Sequence, residues 1–345
     1  MHSLHFISQS LQHPDAFTAV LLLGIGLVAL AGAYLLSLVD VTVLAVAALL
    51  LEMFSGNWGL TGVNVPFDRV AMGILLGALL LKGSRNVAAR KLVVRPLHLV
   101  LLSALAWCAV SGIVVGTITG SVGFYAYLDR FGVFPFMWFC IAPLLFGTPR
   151  QRKILLVGLV GMGLYLGFTG FMEGLHVYKL LFPRYIANPN VGIQWGRARG
   201  PFLESTGDGF CAFVGASAAY IGFRTWRSTA ARWVCLLTIG LDLATNFFTL
   251  TRGVWIGTFL GVAAIMVLTK KLRRLIVPAL LVGVILVGGT LIISPTIRAE
   301  TIGRATQQSP VWDRQNTDLA ALRIIEDKPL TGVGWENFIN VGGTT

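Results

Sequence analysis

Three arginines are the residues best suited to do chemistry in this chain. Arg197 and Arg199 stand in Gly196-Arg197-Ala198-Arg199-Gly200-Pro201-Phe202, just before an apolar run, and Arg252 stands in Leu250-Thr251-Arg252-Gly253-Val254-Trp255, between two apolar runs. An arginine next to hydrocarbon is costly, so it is usually paired with an acid or aimed at a polar cavity. Two readings stay open. The first is a positional anchor, or a salt bridge with Glu204, Asp208 or Asp242. The second is an anion site, because a planar guanidinium can hold phosphate through two parallel charge-assisted hydrogen bonds and stays charged at any relevant pH. Glycine at 200 and 253 would let the backbone approach a bulky head group.

Asp242 interrupts an otherwise apolar helix, and Thr245, Asn246 and Thr249 follow it on the same helical face. An acid inside a span points to function by default, and a structural network with Arg252 explains it equally well. Glu52 and Glu173, at span ends, read as interfacial, and His176 reads as a surface residue. Cys108, Cys140, Cys211 and Cys235 lie in or beside apolar runs without ligand spacing and read as packing residues. The chain has no Walker A loop, no His-Glu-x-x-His helix and no Gly-x-Ser-x-Gly elbow, which argues against nucleotide hydrolysis and zinc proteolysis.

The elements that must position these residues are helices in a bilayer. Of 345 residues, 55% are hydrophobic and only 12% are charged, a balance that excludes disordered and disulfide-stapled chains and argues against a soluble fold. The net charge of +12 does not form the basic face that nucleic acid needs. Instead, basic residues cluster between apolar runs: Lys82 to Arg95, Arg150 to Lys153, Arg224 to Arg232, and Lys270 to Arg274. These clusters contain no acid, the positive-inside signature of cytoplasmic loops.

The expected architecture is all-α: a polytopic membrane bundle of about ten transmembrane helices in a single membrane domain, residues 1–345. The candidate spans are 16 to 37, 40 to 54, 66 to 82, 96 to 118, 130 to 147, 154 to 173, 206 to 223, 233 to 250, 253 to 269 and 275 to 293. With no basic residue ahead of the first run, the first helix itself serves as targeting signal. Strict alternation puts the N-terminus outside the cytoplasm, and it puts residues 174–205 and 294–345 together on the far side. The first of these stretches, with Leu175, Val177, Leu180, Leu181 and Phe182 near Lys179 and Arg184, suits an interfacial helix. The second predicts a helix over roughly Val311 to Glu326, ending before Pro329.

In this order the pieces resemble the O-antigen ligase and polymerase family of bacterial envelope proteins, from about residue 60 to the end. Four segments carry the resemblance: Val65-Pro66-Phe67-Asp68-Arg69; Gly167 to Glu173 with Arg197-x-x-Gly200-Pro201-Phe202; Thr251-Arg252-Gly253-Val254-Trp255; and Trp312 through Asn337-Phe338. The resemblance implies transfer of a glycan from an undecaprenyl pyrophosphate carrier to a glycan or lipid acceptor hydroxyl, at the periplasmic side of the inner membrane. It implies no metal and no other cofactor. Arg197 and Arg252 would hold the pyrophosphate, with Arg199, Gly200, Asp242 and Arg314 as further substrate-binding candidates. Membrane lipids are the other expected partners, and nucleic acid is not one.

Two departures stand out. Leu203-Glu204-Ser205-Thr206 replaces the polar continuation that the family usually has after Pro-Phe, and the histidine usually assigned as acceptor base, beyond the Gly-x-Gly-x-x-Asn-Phe segment, does not occur within these residues. The expectation is that the sequence is part of a longer protein. Glu204 and Asp208 are then the nearest acids that could serve as base. The rival reading is a transporter or flippase that binds the same lipid-linked anion without chemistry.

Overall fold

Among the described residues the chain is all-helical, and nearly every apolar run of the sequence becomes a helix. The computed structural model describes residues 39–62, 65–82, 94–119, 121–129, 132–269, 273–306 and 309–334, with 337, 338 and 341. The span expected at 16 to 37 lies outside them. In chain order the helices are α1 (Val41–Leu51), α2 (Phe67–Lys82), α3 (Pro96–Val115), α4 (Ser121–Asp129), α5 (Val133–Leu145) and α6 (Pro149–Gly174). They continue as α7 (Ser205–Thr225), α8 (Thr229–Phe248), α9 (Arg252–Leu268), α10 (Ile276–Ile293), α11 (Pro295–Thr306) and α12 (Ser309–Asp327).

Local chemistry sets the starts. Asp40 caps α1 by accepting from the Thr42 amide at 2.8 Å. Thr148 and Gln151 form a reciprocal capping box, with Pro149 at the first helical position of α6.

Among the described residues three stretches are long and apolar enough to cross a membrane: Pro96–Val115, Tyr127–Leu145 and Pro149–Gly174. The expectation of about ten is thus met at three. Among the described residues helices stand at the other expected places, but α1 has 11 residues, α2 has 16 and α9 has 17, short of the roughly 20 that span a bilayer unaided.

The interfacial helix expected within 174–205 does not form. That segment folds into the short 3-10 turns Tyr178–Leu180, Arg184–Ala187 and Gly200–Phe202. Prolines at 183, 189 and 201 deny helix-interior amides, and His176 and Gln194 adopt left-handed backbone. The helix expected over 311 to 326 is found as α12, and α11, which the sequence reading did not separate, precedes it.

The most extensive packing joins α6, α7 and α8. Glycines 163, 167, 170 and 174 form one face of α6, and α8 lays Asp242, Thr245 and Phe248 into that groove. Gly215 of α7 meets Gly163 so closely that a Cβ on residue 215 would stand 2.5 Å from the Gly163 Cα. Small residues here replace side-chain burial with close backbone approach, the usual means of helix association in lipid.

The bundle has two distinguishable ends. At one, Arg150 lies 3.8 Å from Asp40, near the basic residues of α6 and of the α7–α8 turn. At the other, Asn57 Nδ2 donates to the Pro201 carbonyl at 2.9 Å, and Ile297 of α11 packs with Ala198 and Phe248. His176 Nε2 stands 3.6 Å from Glu300. The polar stretches 174–205 and 294–306 therefore meet at one end.

Candidate functional site

The loop before α7 is built around one buried ion pair. Arg199 is 1% exposed and Glu173, at the end of α6, is 2% exposed. Glu173 Oε2 accepts from the backbone amides of Arg199 at 3.0 Å and Gly200 at 2.8 Å, and Oε1 lies 3.8 Å from Arg199 Nε. The guanidinium donates to three backbone carbonyls, Val191 at 2.6 Å, Ile186 at 3.2 Å and Asn188 at 2.7 Å, and lies 4.7 Å from the Trp195 ring centroid. Burial pulls its pKa down from the ordinary arginine value, and Glu173 opposes that shift. Arg199 thus staples the 186–191 turn from within.

Gly200 also faces inward. It is buried, with φ +52, and a Cβ there would lie 2.1 Å from Asp208 Oδ1, so close approach to Asp208 requires glycine. The expectation for this glycine is close approach of a head group; the neighbour its missing Cβ admits in the structure is the Asp208 carboxylate. Pro201 is fixed by two donors on its carbonyl, Tyr185 Oη and Asn57 Nδ2, each at 2.9 Å. Burial raises the Tyr185 phenol above its ordinary value, which keeps it neutral and donating.

Arg197 and Arg252 have a different setting. Each is half-buried. Their segments are tied together at the loop end: the Ala198 amide donates to the Phe248 carbonyl at 2.9 Å, and Ser205 Oγ and Thr251 Oγ1 are hydrogen-bonded at 2.9 Å. Ser205 also contacts Gln194 through its amide, at 3.1 Å, and its hydroxyl. Arg252 opens α9, whose N-cap Thr251 makes no side-chain capping bond. Gly253 is exposed, and a Cβ there would meet nothing within 4 Å. The arrangement therefore puts two guanidinium-bearing segments and a helix N-terminus, all electropositive, at one end of the bundle.

The acids divide by depth. Glu204 is the N-cap of α7, its two oxygens accepting from Thr206 at 2.9 Å and Gly207 at 2.6 Å. Asp208, Asp242 and Asn246 are buried, and their side-chain polar atoms have no hydrogen-bond partner among the described residues. Asp242 lies down in the glycine groove, where Cβ atoms at 163 and 167 would each come within 2.7 Å of its oxygens. Thr245 Oγ1 donates to the Gly167 carbonyl at 3.0 Å. Arg314 is exposed on α12. Among the described residues no group of three or more His, Cys, Asp or Glu gathers as a metal site.

Two features escaped the sequence reading. Glu173, read as interfacial, is the buried partner of the loop; the signal was an acid closing a glycine-striped helix just before an arginine-rich segment. Arg69, in the first motif, pairs with Asp129 and lies 4.3 Å over the Tyr125 ring, a cross-link between α2 and α4 that sequence separation concealed. The Gly332-Val333-Gly334 turn docks on α3. Trp107 Nε1 donates to the Leu330 carbonyl at 3.0 Å, Ser111 bonds the Thr331 carbonyl, and a Cβ on Gly334 would lie 2.6 Å from Thr117 Oγ1.

Compared with known protein families, residues 237–343 match the family described as O-antigen ligase. This range takes in the Arg252 motif and the Gly-x-Gly turn, and it supports the family resemblance drawn from the ordered motifs. No curated protein and no solved structure matches the chain.

Proposed function

With residues 237–343 matching the O-antigen ligase family, we propose that this chain acts in glycan transfer at a bacterial inner membrane. In this proposal the bundle crosses the membrane about ten times with its loop end periplasmic. The donor is an undecaprenyl pyrophosphate-linked oligosaccharide, and the acceptor is a hydroxyl of a glycan or lipid. The observation that carries the reading is the Ala198–Phe248 hydrogen bond, which brings the Arg197 and Arg252 segments to the same end from distant parts of the chain.

In the reaction, the bond between the sugar's anomeric carbon and the diphosphate oxygen breaks as the acceptor oxygen bonds to that carbon. The acceptor hydroxyl gives its proton to solvent water, and negative charge grows on the departing diphosphate. Guanidinium groups fixed where that charge develops stabilise the transition state more than the ground state. Arg197 and Arg252 fill this role, assisted by the first-turn amides of α9. Arg199, Gly200 and Asp208 shape the loop that presents Arg197, Glu204 caps the adjoining helix, and Asp242 lies beneath them in the α6–α8 groove. Arg314 is left to the acceptor side.

The test is carrier-dependent transfer by the complete protein. Arg197→Ala and Arg252→Ala should each lower turnover at least about 100-fold, the scale of losing one charge-stabilising donor, with membrane insertion unchanged. Lysine at either position should restore only part of it, since a point charge lacks the bidentate fork. Normal transfer by both alanine variants would overturn the proposal.

A further inference from the structure

A groove at the opposite end of the bundle has no part in the proposed transfer. It runs between α6 and α7 with a volume of about 1160 Å³. Leu155, Leu159, Val214 and Ile221 form its walls, Trp226 closes one end, and Arg152, Lys153 and Arg227 stand at its mouth. No acid lines it. All three basic residues are exposed, and none forms an ion pair with an acid among the described residues.

The dimensions fit one leaflet. From Val214 to Thr225 the α7 wall rises roughly 16 Å at 1.5 Å per residue, about half of a hydrocarbon core of roughly 30 Å. Lipid-facing helix surfaces are ordinarily convex and carry no charge below the head groups. This surface is concave, apolar along its depth and cationic only at its rim. Basic pockets between helices attract anionic head groups, and each basic side chain near the surface favours anionic lipid about fivefold.

We propose that this groove binds a diacyl phospholipid with an anionic phosphate head group. An acyl chain lies against Leu159 and Ile221, and the phosphate sits among Arg152, Lys153 and Arg227. The site is separate from the transfer reading and stands or falls without it.

The test uses the full chain in nanodiscs of equal phosphatidylglycerol and phosphatidylcholine, with lipids retained after release counted by native mass spectrometry. Two variants act differently. The triple variant Arg152→Gln/Lys153→Gln/Arg227→Gln removes charge and keeps the groove, and Ser217→Trp fills the groove and keeps the charge. Both are checked for unchanged thermal unfolding, with Ser217→Leu as the milder filling variant.

The wild type should retain phosphatidylglycerol over phosphatidylcholine by at least about tenfold. The triple variant should lose that preference, and the filled variant should lose the bound lipid itself, while millimolar inorganic phosphate displaces nothing. Equal retention of the two lipids by the wild type, undiminished preference in the triple variant, or displacement by free phosphate would each overturn the proposal. So would a site that takes polyprenyl phosphate and excludes phosphatidylglycerol.

Discussion

Replacing Arg199 by alanine separates a loop staple from a substrate ligand. The change removes charged donors from three backbone carbonyls, at 2.6, 3.2 and 2.7 Å, and leaves Glu173 without its guanidinium at 3.8 Å. A buried acceptor left unsatisfied costs about 1–3 kcal/mol, and breaking a buried ion pair costs about 3–5 kcal/mol. These overlap, because one opening of the 186–191 turn to water relieves several at once. The expected loss is therefore about 4 kcal/mol, a drop in Tm of roughly 6 °C for a chain of this size.

Thermal unfolding in detergent at one fixed scan rate measures the loss, and hydrogen exchange locates it. The amides of Arg199 and Gly200, now held by Glu173, should exchange faster in the variant, and those of α8 should not. Arg199→Lys should fall between, since an ammonium cannot reach three separated carbonyls. An Arg199→Ala protein within 1 kcal/mol of wild type that had lost only donor binding would refute the reasoning and return Arg199 to the substrate.

The helix contacts and the acids give further expectations. Gly163→Ala would place a Cβ 2.7 Å from Asp242 Oδ2 and 2.8 Å from the Gly215 Cα, so it should destabilise by about 1–3 kcal/mol. Gly161→Ala, with nothing within 4 Å, should be neutral or stabilising; equal unfolding midpoints for the two would contradict the α6–α7 packing. Glu204→Ala should cost about 1 kcal/mol as a lost N-cap, while Glu204→Gln should keep most stability and most transfer; a glutamine variant that is stable but inactive would make Glu204 the acceptor base. Asp242→Asn should leave Tm within about 3 °C of wild type, because neither carboxyl oxygen has a hydrogen-bond partner among the described residues. A larger fall would reveal a partner that needs the carboxylate.

The helices were legible because apolar runs bounded by Pro, Gly and charge leave few other ways to satisfy backbone groups in lipid. Alternation of the basic clusters puts residues 174–205 and those after 294 on one side, and in the structure His176 stands near Glu300 and Ala198 packs in one cluster with Ile297. The loop was less legible. Its apolar residues suggested an amphipathic helix, but prolines and left-handed residues turned it into 3-10 turns whose interior is an ion pair.

Arg197 and Arg199 look alike in sequence, and only three-dimensional packing separates the half-buried one from the one wholly engaged inside the loop. The glycines at 163, 167, 170 and 174 were visible as composition. Their meaning depends on the spacing of Asp242, Thr245 and Phe248 on another helix, which no local pattern reveals.

The central claim is that Arg197 and Arg252 together hold a lipid-borne diphosphate, and an equilibrium titration with undecaprenyl pyrophosphate tests it most directly. A hydrogen bond to a charged group contributes about 1.5–3 kcal/mol, so each alanine substitution should weaken binding by about 10-fold or more and the double variant by at least about 100-fold, with undecaprenol binding unchanged. Wild-type affinity for the diphosphate lipid in the folded double variant would contradict the account.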